Sequence, residues 1–124
     1  METILPADCG NAPRITIVGD LVVDWARDDT DAVAAWLADD ADWTLVGERT
    51  YSGPGAAGDA SARVSPERVE ISSIVTHGRF ASCDGFLEDG STRIDFSHVF
   101  RFASTSKSAR IKEIRRYCIE TSPS

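Results

Sequence analysis

The sequence predicts an α+β fold in which N-terminal helices pack on one face of a curved, mainly antiparallel sheet. Two observations indicate this fold. Apolar residues recur at helical spacing before residue 40, and from residue 42 onward they alternate with polar residues, as they do in strands. Short turn sequences then separate four long alternating segments, and short links between strands require antiparallel hairpins. Helices first and a meander of strands afterwards is the α+β pattern.

Two helices are predicted ahead of the strands. Residues 1–12 are expected to be a flexible arm, and Pro13 suits the first turn of a helix. From there apolar residues recur at three- and four-residue steps, which is typical of an amphipathic helix; they are Ile15, Val18, Val22 and Trp25. A second helix is predicted from about Asp29, with acids in its first turn, to Asp39 or Asp40.

The strands follow in chain order. A short strand over 42–47 is predicted from the alternation around Trp43 and Leu45, and residues 49–52 are expected to pair with it or extend it. The segment 53–65 fits a short helix or a mobile loop. Four longer strands are predicted at Arg68 to Thr76, Arg79 to Glu88, Thr92 to Ala103 and Ala109 to Glu120. Residues 13–120 therefore form one domain, and 121–124 form a C-terminal tail.

Composition excludes several classes of partner. The chain of 124 residues is 42% hydrophobic and 27% charged, which are globular values. Its 20 acidic and 13 basic side chains give a formal net charge of −7. This excess repels phosphate backbones, so we predict no nucleic-acid partner. No apolar run approaches the roughly 20 residues needed to cross a bilayer, so we predict no membrane partner.

The cysteine, histidine and glycine patterns indicate the cellular compartment and whether a metal or cofactor is expected. Cys9, Cys83 and Cys118 are odd in number and far apart, which favours a reducing cytoplasm over a disulfide scaffold. Residues 1–10 lack the basic start and apolar stretch of a signal peptide. No His and Cys residues have metal-site spacing, so we predict no metal. The segment 53–58 reads G-x-G-x-x-G, but hairpins follow it in place of a βαβ crossover, so we predict no cofactor.

One predicted strand carries an unusual histidine. Alternation over residues 94–103 places Phe96, His98 and Phe100 on one face. An imidazole among phenyl rings is poorly hydrated and needs a hydrogen-bond partner. His98 is therefore either a core histidine satisfied by a backbone carbonyl or a neighbouring side chain, or a polar group inside an apolar ligand pocket. The sequence leaves both interpretations open.

The order of several short motifs resembles a known superfamily. The segment Ala38 to Trp43 (ADDADW) leads into a strand ending at Gly47, and later hairpins contain IVTHG at 74–78, HVFRF at 98–102 and IKEIRRY at 111–117. In this order they resemble the nuclear transport factor 2-like superfamily, specifically its SnoaL-like bacterial branch, from about Pro13 to Glu120. The resemblance implies a cone-shaped α+β barrel with a pocket between helices and sheet, and a homodimer formed through the outer face of the sheet.

The resemblance also allows a comparison with the enzymes of that superfamily. In the ketosteroid isomerase branch, a tyrosine on the first helix and a protonated strand aspartate form an oxyanion hole, and an aspartate on the first strand is the base. In this chain the three positions are occupied by Leu21, His98 and Leu45, so the base is lost. In the limonene epoxide hydrolase branch, the Tyr, Asn and Asp positions read Trp43, Leu45 and Arg116. Neither activity is expected of this chain. SnoaL-type cyclases also use an acidic pocket group and a histidine, and His98 fits the second role.

The same register predicts which side chains face the pocket. The predicted ligand-binding residues are Leu21, Trp25, Trp43, Leu45, Phe86, Phe96, Phe100, Ile114 and Arg116, and Ser82 and Cys118 are also expected to face inward. Asp84, His98 and Arg116 would be the polar groups of a mostly apolar pocket. Because a buried charge must be paired, we expect Asp84 to pair with Arg116 or with protonated His98.

Three functions follow from this predicted pocket. The favoured one is binding of a small hydrophobic molecule inside the cone. An alternative is an isomerase, cyclase or hydrolase that uses Asp84 and His98 as a catalytic acid/base pair. A third is a protein-interaction or purely structural dimer, with Val99 and Tyr117 on the outer face of the sheet. A cone filled by its own side chains would remove the site altogether.

Overall fold

The computed structural model describes residues 1–6, 13–62 and 64–121, which form three helices and a seven-stranded sheet. In chain order the elements are β1 (Glu2–Ile4), α1 (Pro13–Ala26), α2 (Thr30–Ala34), β2 (Leu37–Leu45), β3 (Arg49–Ser52), α3 (Ala56–Asp59), β4 (Arg68–His77), β5 (Phe80–Glu88), β6 (Arg93–Phe102) and β7 (Ile111–Thr121). The sheet is curved and unclosed. Its strand order is β1-β4-β5-β6-β7-β2-β3. The predicted α+β class is confirmed.

The meander β4 to β7 is antiparallel throughout, as the hairpin turns predicted. Two pairings are parallel: β2 lies against β7, and β1 lies against β4. The β4–β5 ladder shifts register between Ile71 and Ser73, and the β6–β7 ladder shifts between Arg101 and Phe102. Bulges of this kind bend strands and increase their twist. They account for a sheet that curls around α1.

The chain leaves the second helix earlier than the sequence predicted. α2 begins as expected, with the Asp29 carboxylate accepting a hydrogen bond from the Ala32 amide at 3.2 Å. The predicted end at Asp39 or Asp40 is wrong, because both residues belong to β2. The cause is pairing with a strand distant in sequence: Leu37 lies opposite Ile111 of β7 and is buried. Tertiary pairing of this kind overrides a local helix preference.

The segment predicted as a flexible arm begins with a short strand. Glu2–Ile4 form β1, whose Glu2 amide donates to the Glu67 carbonyl at 2.7 Å and whose Glu2 carboxylate lies 3.3 Å from Arg68. The rest of the predicted arm, at 7–12, and the tail residues 122–124 lie outside the described residues. Thr121 belongs to β7. The segment at 53–65 contains the short helix α3, one of the two forms expected for it.

The core lies between α1 and the concave, inward face of the sheet. α1 buries Val18, Val22 and Trp25 of the predicted stripe, and also Leu21 beside them, whereas Ile15 is only partly buried. The largest fully buried side chains of the sheet include Trp43, Phe100, Phe102, Ile71, Leu87, Ile111 and Ile114. No helix in the described part of the chain is both long and apolar enough to span a bilayer.

Candidate functional site in the cone interior

His98 lies at the centre of the cone, where β6 turns it toward α1. Its side chain is 1% exposed. Four aromatic rings surround the imidazole, with ring centroids 4.5 Å away for Trp25, 5.4 Å for Phe96, 5.8 Å for Phe100 and 6.3 Å for Trp43. The structure therefore brings these four predicted lining residues together around the predicted histidine.

The polar atoms of this cluster are only partly satisfied. Neither His98 ring nitrogen has a hydrogen-bond partner among the described residues, and neither does the buried Nε1 of Trp43. Within the described ranges, no backbone carbonyl or side chain bonds to His98, so the core-histidine alternative lacks there the partner that it expected. The second indole differs, because Trp25 Nε1 donates to the Ala60 carbonyl at 3.0 Å.

Burial determines the protonation state of His98. Loss of hydration and, as the smaller cause, the charge of Arg116 together lower the pKa of the imidazole to about 3. An imidazole with this pKa is neutral at physiological pH. Neutral imidazole has one N–H donor and one bare nitrogen that accepts. His98 therefore offers one hydrogen-bond donor and one hydrogen-bond acceptor to the interior.

Arg116 faces inward from β7, directly opposite His98 in the β6–β7 ladder. Its side chain is 3% exposed. Nη1 donates to the carbonyls of Ala60 at 2.7 Å and Ser61 at 3.3 Å, and the guanidinium carbon lies 5.7 Å from the Trp25 ring centre. These contacts tie β7 to the segment that follows α3. They also fix a buried positive charge beside the imidazole.

Asp84 lies on the opposite face of the sheet, so two expectations are wrong. It is exposed, lies opposite Ser97 and accepts a hydrogen bond from the Ser73 hydroxyl. It pairs with neither Arg116 nor His98 and forms no acid/base pair with the imidazole. The physical reason is the two-residue period of a strand, in which a one-residue error moves every side chain to the other face. His98 lies opposite Cys83, the residue before Asp84.

The same error applies to Ser82 and Phe86, which also face outward. Phe86 is only 8% exposed because two arginines cover it, with guanidinium carbons 3.8 Å (Arg93) and 5.6 Å (Arg68) from the ring centre. The inward residues of β5 that the sequence reasoning missed are Ala81, Cys83 and Leu87. A signal was present: Ser82 and Asp84 are polar and share a face, which is typical of a solvent-facing side.

Other predicted lining residues do lie inside. Leu21, Leu45 and Ile114 are buried. Cys118 has the inward parity of Arg116 but lies at the open end of the cone, where it is exposed. In the described residues, no group of His, Cys, Asp and Glu side chains is arranged to hold a metal ion.

A small pocket opens at the mouth of the cone. It has a volume of about 60 Å³ and is lined by Trp25, Glu48, Leu87, Ile94, Arg116, Cys118 and Glu120. Trp25 contacts His98, and Arg116 is its cross-strand neighbour. One layer of side chains therefore separates the pocket from the imidazole. Glu48, on the turn after β2, was not predicted, because a turn residue carries no periodic signal.

Comparison with known proteins finds similarity in structure only. No family model matches the sequence, and no curated protein matches it. Among solved structures, an NTF-2 like protein of unknown function from Burkholderia xenovorans LB400 superposes with a TM-score of 0.70 at 14% identity, covering 86% of this chain and 82% of that one. A de novo designed protein with a curved β-sheet superposes with a TM-score of 0.70 at 16% identity, covering 86% and 85%.

An epoxide hydrolase/cyclase-like enzyme with a role in pyran ring formation in the polyether salinomycin is also similar. Its TM-score is 0.64 at 16% identity, with 86% of this chain and 90% of that chain covered. At identities this low, the superpositions establish a shared fold and nothing more. One neighbour is an enzyme and another is a designed protein, so the fold alone does not specify an activity.

Proposed function

Because this chain has the NTF2-like fold, we propose that it binds a small, mainly apolar molecule that enters at the mouth of the cone and reaches toward His98. The observation that carries the proposal is the imidazole itself, 1% exposed and with neither ring nitrogen hydrogen-bonded among the described residues. A buried polar group without a partner costs roughly 1–3 kcal/mol. Proteins retain such costs chiefly at functional sites.

The surroundings of His98 support an apolar ligand with few polar atoms. Aromatic rings from α1, β2 and β6 form the walls. The pocket at the mouth adds Leu87 and Ile94 to these walls, together with one guanidinium and the carboxylates of Glu48 and Glu120. Charges of both signs at the entrance favour a neutral ligand, because a net charge would meet repulsion from one of them.

Size places a condition on this proposal. A volume of about 60 Å³ is well below the roughly 300–1,000 Å³ of ordinary ligand pockets. A ligand larger than a few atoms must therefore displace the layer formed by Trp25 and Arg116. The bound form is then a minor conformation that the ligand stabilises, and small probes should bind weakly.

The test is a titration of the protein with toluene and naphthalene, followed by the NMR signals of the Trp25 and Trp43 indole N–H groups. Both signals should shift saturably. Cys118→Phe, which fills the mouth, should weaken binding about tenfold, equivalent to roughly 1.4 kcal/mol. Val46→Phe introduces the same phenyl ring at an exposed residue that does not line the pocket and should leave binding unchanged. Absence of saturable shifts with both probes would contradict the proposal.

A second candidate function is catalysis at the same mouth. The carboxylates of Glu48 and Glu120 line a pocket that also contains the Arg116 guanidinium. A carboxylate there has the chemistry to take a proton from a water whose oxygen attacks an epoxide carbon; as the ring C–O bond breaks, the released alkoxide takes that proton back from the carboxylic acid, which gives the diol and restores the carboxylate. This candidate predicts hydrolysis of styrene oxide that Glu48→Gln abolishes. If no diol forms while toluene binds, the function is binding without catalysis.

The predicted homodimer becomes a proposal about the outer face. Val75, Tyr117 and Ile119 are exposed there, at 59%, 41% and 67%. Exposed apolar side chains on this one face of the sheet support an interface between copies of this chain. Light scattering should give twice the chain mass for the native protein and the single mass for Ile119→Lys. A native monomer would contradict the proposal.

A further inference from the structure

Three unsatisfied polar atoms belong to two neighbouring rings in the interior of the cone. They are Nδ1 and Nε2 of His98 and Nε1 of Trp43, all buried and without a hydrogen-bond partner among the described residues. The two rings lie with centroids 6.3 Å apart and planes at 75°. A hydrogen-bonding oxygen lies roughly 2.7–3.0 Å from each of its partners. The two rings are neighbours in the packed interior, so an oxygen that bonds to both must part them as the ligand enters.

The donor and acceptor inventory of these atoms is specific. The indole Nε1–H can only donate. The neutral imidazole donates from one nitrogen and accepts at the other. With its bare nitrogen toward Trp43, His98 leaves its N–H to the rings of Trp25 and Phe96, which lie edge-on and tilted to the imidazole and accept an N–H weakly. A ligand group that enters between Trp43 and His98 then meets one donor and one acceptor.

We infer that the polar group bound between Trp43 and His98 is a hydroxyl, so that the ligand is an alcohol or a phenol with an apolar body. The inference rests on the proposed function and names the ligand class of that site. A hydroxyl oxygen accepts from Trp43 Nε1–H, and its own hydrogen is donated to the bare nitrogen of His98. Both partners are satisfied by one atom.

Other head groups fit less well. A carbonyl oxygen only accepts, so it leaves the bare imidazole nitrogen buried without a donor. An alkyl group satisfies neither ring. A carboxylate accepts from Trp43 but gives up its hydration on entering an aromatic interior, which is costly for a charge. Among these groups, only the hydroxyl both donates and accepts.

The experiment compares three probes of nearly equal size, benzyl alcohol, benzaldehyde and toluene, by the indole N–H signals of the native protein. Benzyl alcohol should bind about tenfold more tightly than either of the others, because one buried hydrogen bond is typically worth this factor. In a ¹⁵N-histidine sample, benzyl alcohol should shift the bare-nitrogen resonance of His98, whereas toluene should leave it in place.

Variants test the two partners separately. His98→Phe and Trp43→Phe should each reduce the preference for benzyl alcohol over toluene to about threefold or less, while toluene still binds. His77→Phe, which changes the exposed histidine at the end of β4, should leave the preference intact.

The outcomes separate this inference from the proposed function. If toluene and benzyl alcohol bind the native protein equally, or benzaldehyde binds most tightly, the hydroxyl assignment is wrong and the binding function stands. If none of the three probes binds, both the hydroxyl assignment and the proposed binding function are wrong, and His98 and Trp43 share a buried water instead. The comparison of probes in the native protein needs no variant, so a poorly folded variant does not weaken it.

Discussion

Acidification should destabilise this protein through His98. The folded-state pKa of the imidazole is about 3, whereas a histidine in an unfolded chain has a pKa of about 6.5. Between these two values the unfolded state binds a proton that the native state does not. The free energy of unfolding therefore falls as the pH falls, by up to about 1.36 kcal/mol per pH unit.

The size of the effect follows from that slope. At pH 4.5 the unfolded imidazole is protonated and the native one is not, so about 2–3 kcal/mol of stability present at pH 7 is lost through this residue. Domains of this length have total stabilities of roughly 5–15 kcal/mol. One histidine therefore accounts for a substantial share of the acid sensitivity.

The assay is urea unfolding of the native protein and His98→Phe at several pH values from 7 to 4.5. Carboxylates such as Asp40, whose pKa is lowered by its hydrogen bond to Lys112, also contribute to the pH dependence. They are present in both proteins, so the difference between the two curves isolates His98. His77→Phe controls for removal of an exposed histidine and should follow the native curve.

The readout is how the stability difference between the two proteins changes with pH, not the stability of either protein at pH 7. Replacing His98 by Phe removes two unsatisfied polar atoms but also adds bulk to a packed interior, and these two effects oppose each other. The difference in stability between native protein and His98→Phe should instead change by about 2–3 kcal/mol from pH 7 to 4.5. Parallel curves would refute the reasoning, because they would show an imidazole that is hydrated or ion-paired in solution.

Two further predictions concern β5. Gly85→Ala should destabilise the protein by about 2 kcal/mol or more, because an added Cβ would lie 2.0 Å from the Glu70 carbonyl oxygen; Gly58→Ala, with nothing within 4 Å, should be neutral or stabilising by thermal unfolding. Burial raises the pKa of the Cys83 thiol to about 12, so iodoacetamide at pH 8 should label exposed Cys118 and leave Cys83 unmodified until the chain unfolds, as peptide mass spectrometry would measure.

The sequence predicts the meander well because its signals are local. Alternation in β6 is clear, since Phe96, His98 and Phe100 share one face and are buried, while Asp95, Ser97 and Arg101 share the other. β5 lacks this contrast: Phe86 is outward yet covered by arginines, and Gly85 is inward yet has no side chain. Apolar residues therefore occur on both of its faces. The face of Asp84 depends on a register that only the neighbouring strands determine.

The second source of error was strand boundaries that depend on pairing with a strand far away in the sequence. The start of β2 at Leu37 depends on β7, and β1 depends on β4, and both pairings are parallel. Parallel neighbours are joined by long crossovers, so no turn sequence marks them. Local reasoning therefore extended the second helix over residues that form a strand.

The pH experiment and the ligand experiment examine the same nitrogen atom and constrain each other. The hydroxyl assignment requires a bare, neutral imidazole nitrogen, and a native pKa of about 3 keeps it bare throughout the range from pH 8 to 5. Affinity for benzyl alcohol should therefore stay constant across that range, measured on folded protein, while stability falls below pH 6.5. If affinity instead declines with a midpoint near pH 6.5, the imidazole titrates like a hydrated histidine, and its burial is incomplete in solution. That result would remove the donor–acceptor argument and the acid-destabilisation argument together, because both depend on exclusion of water from His98.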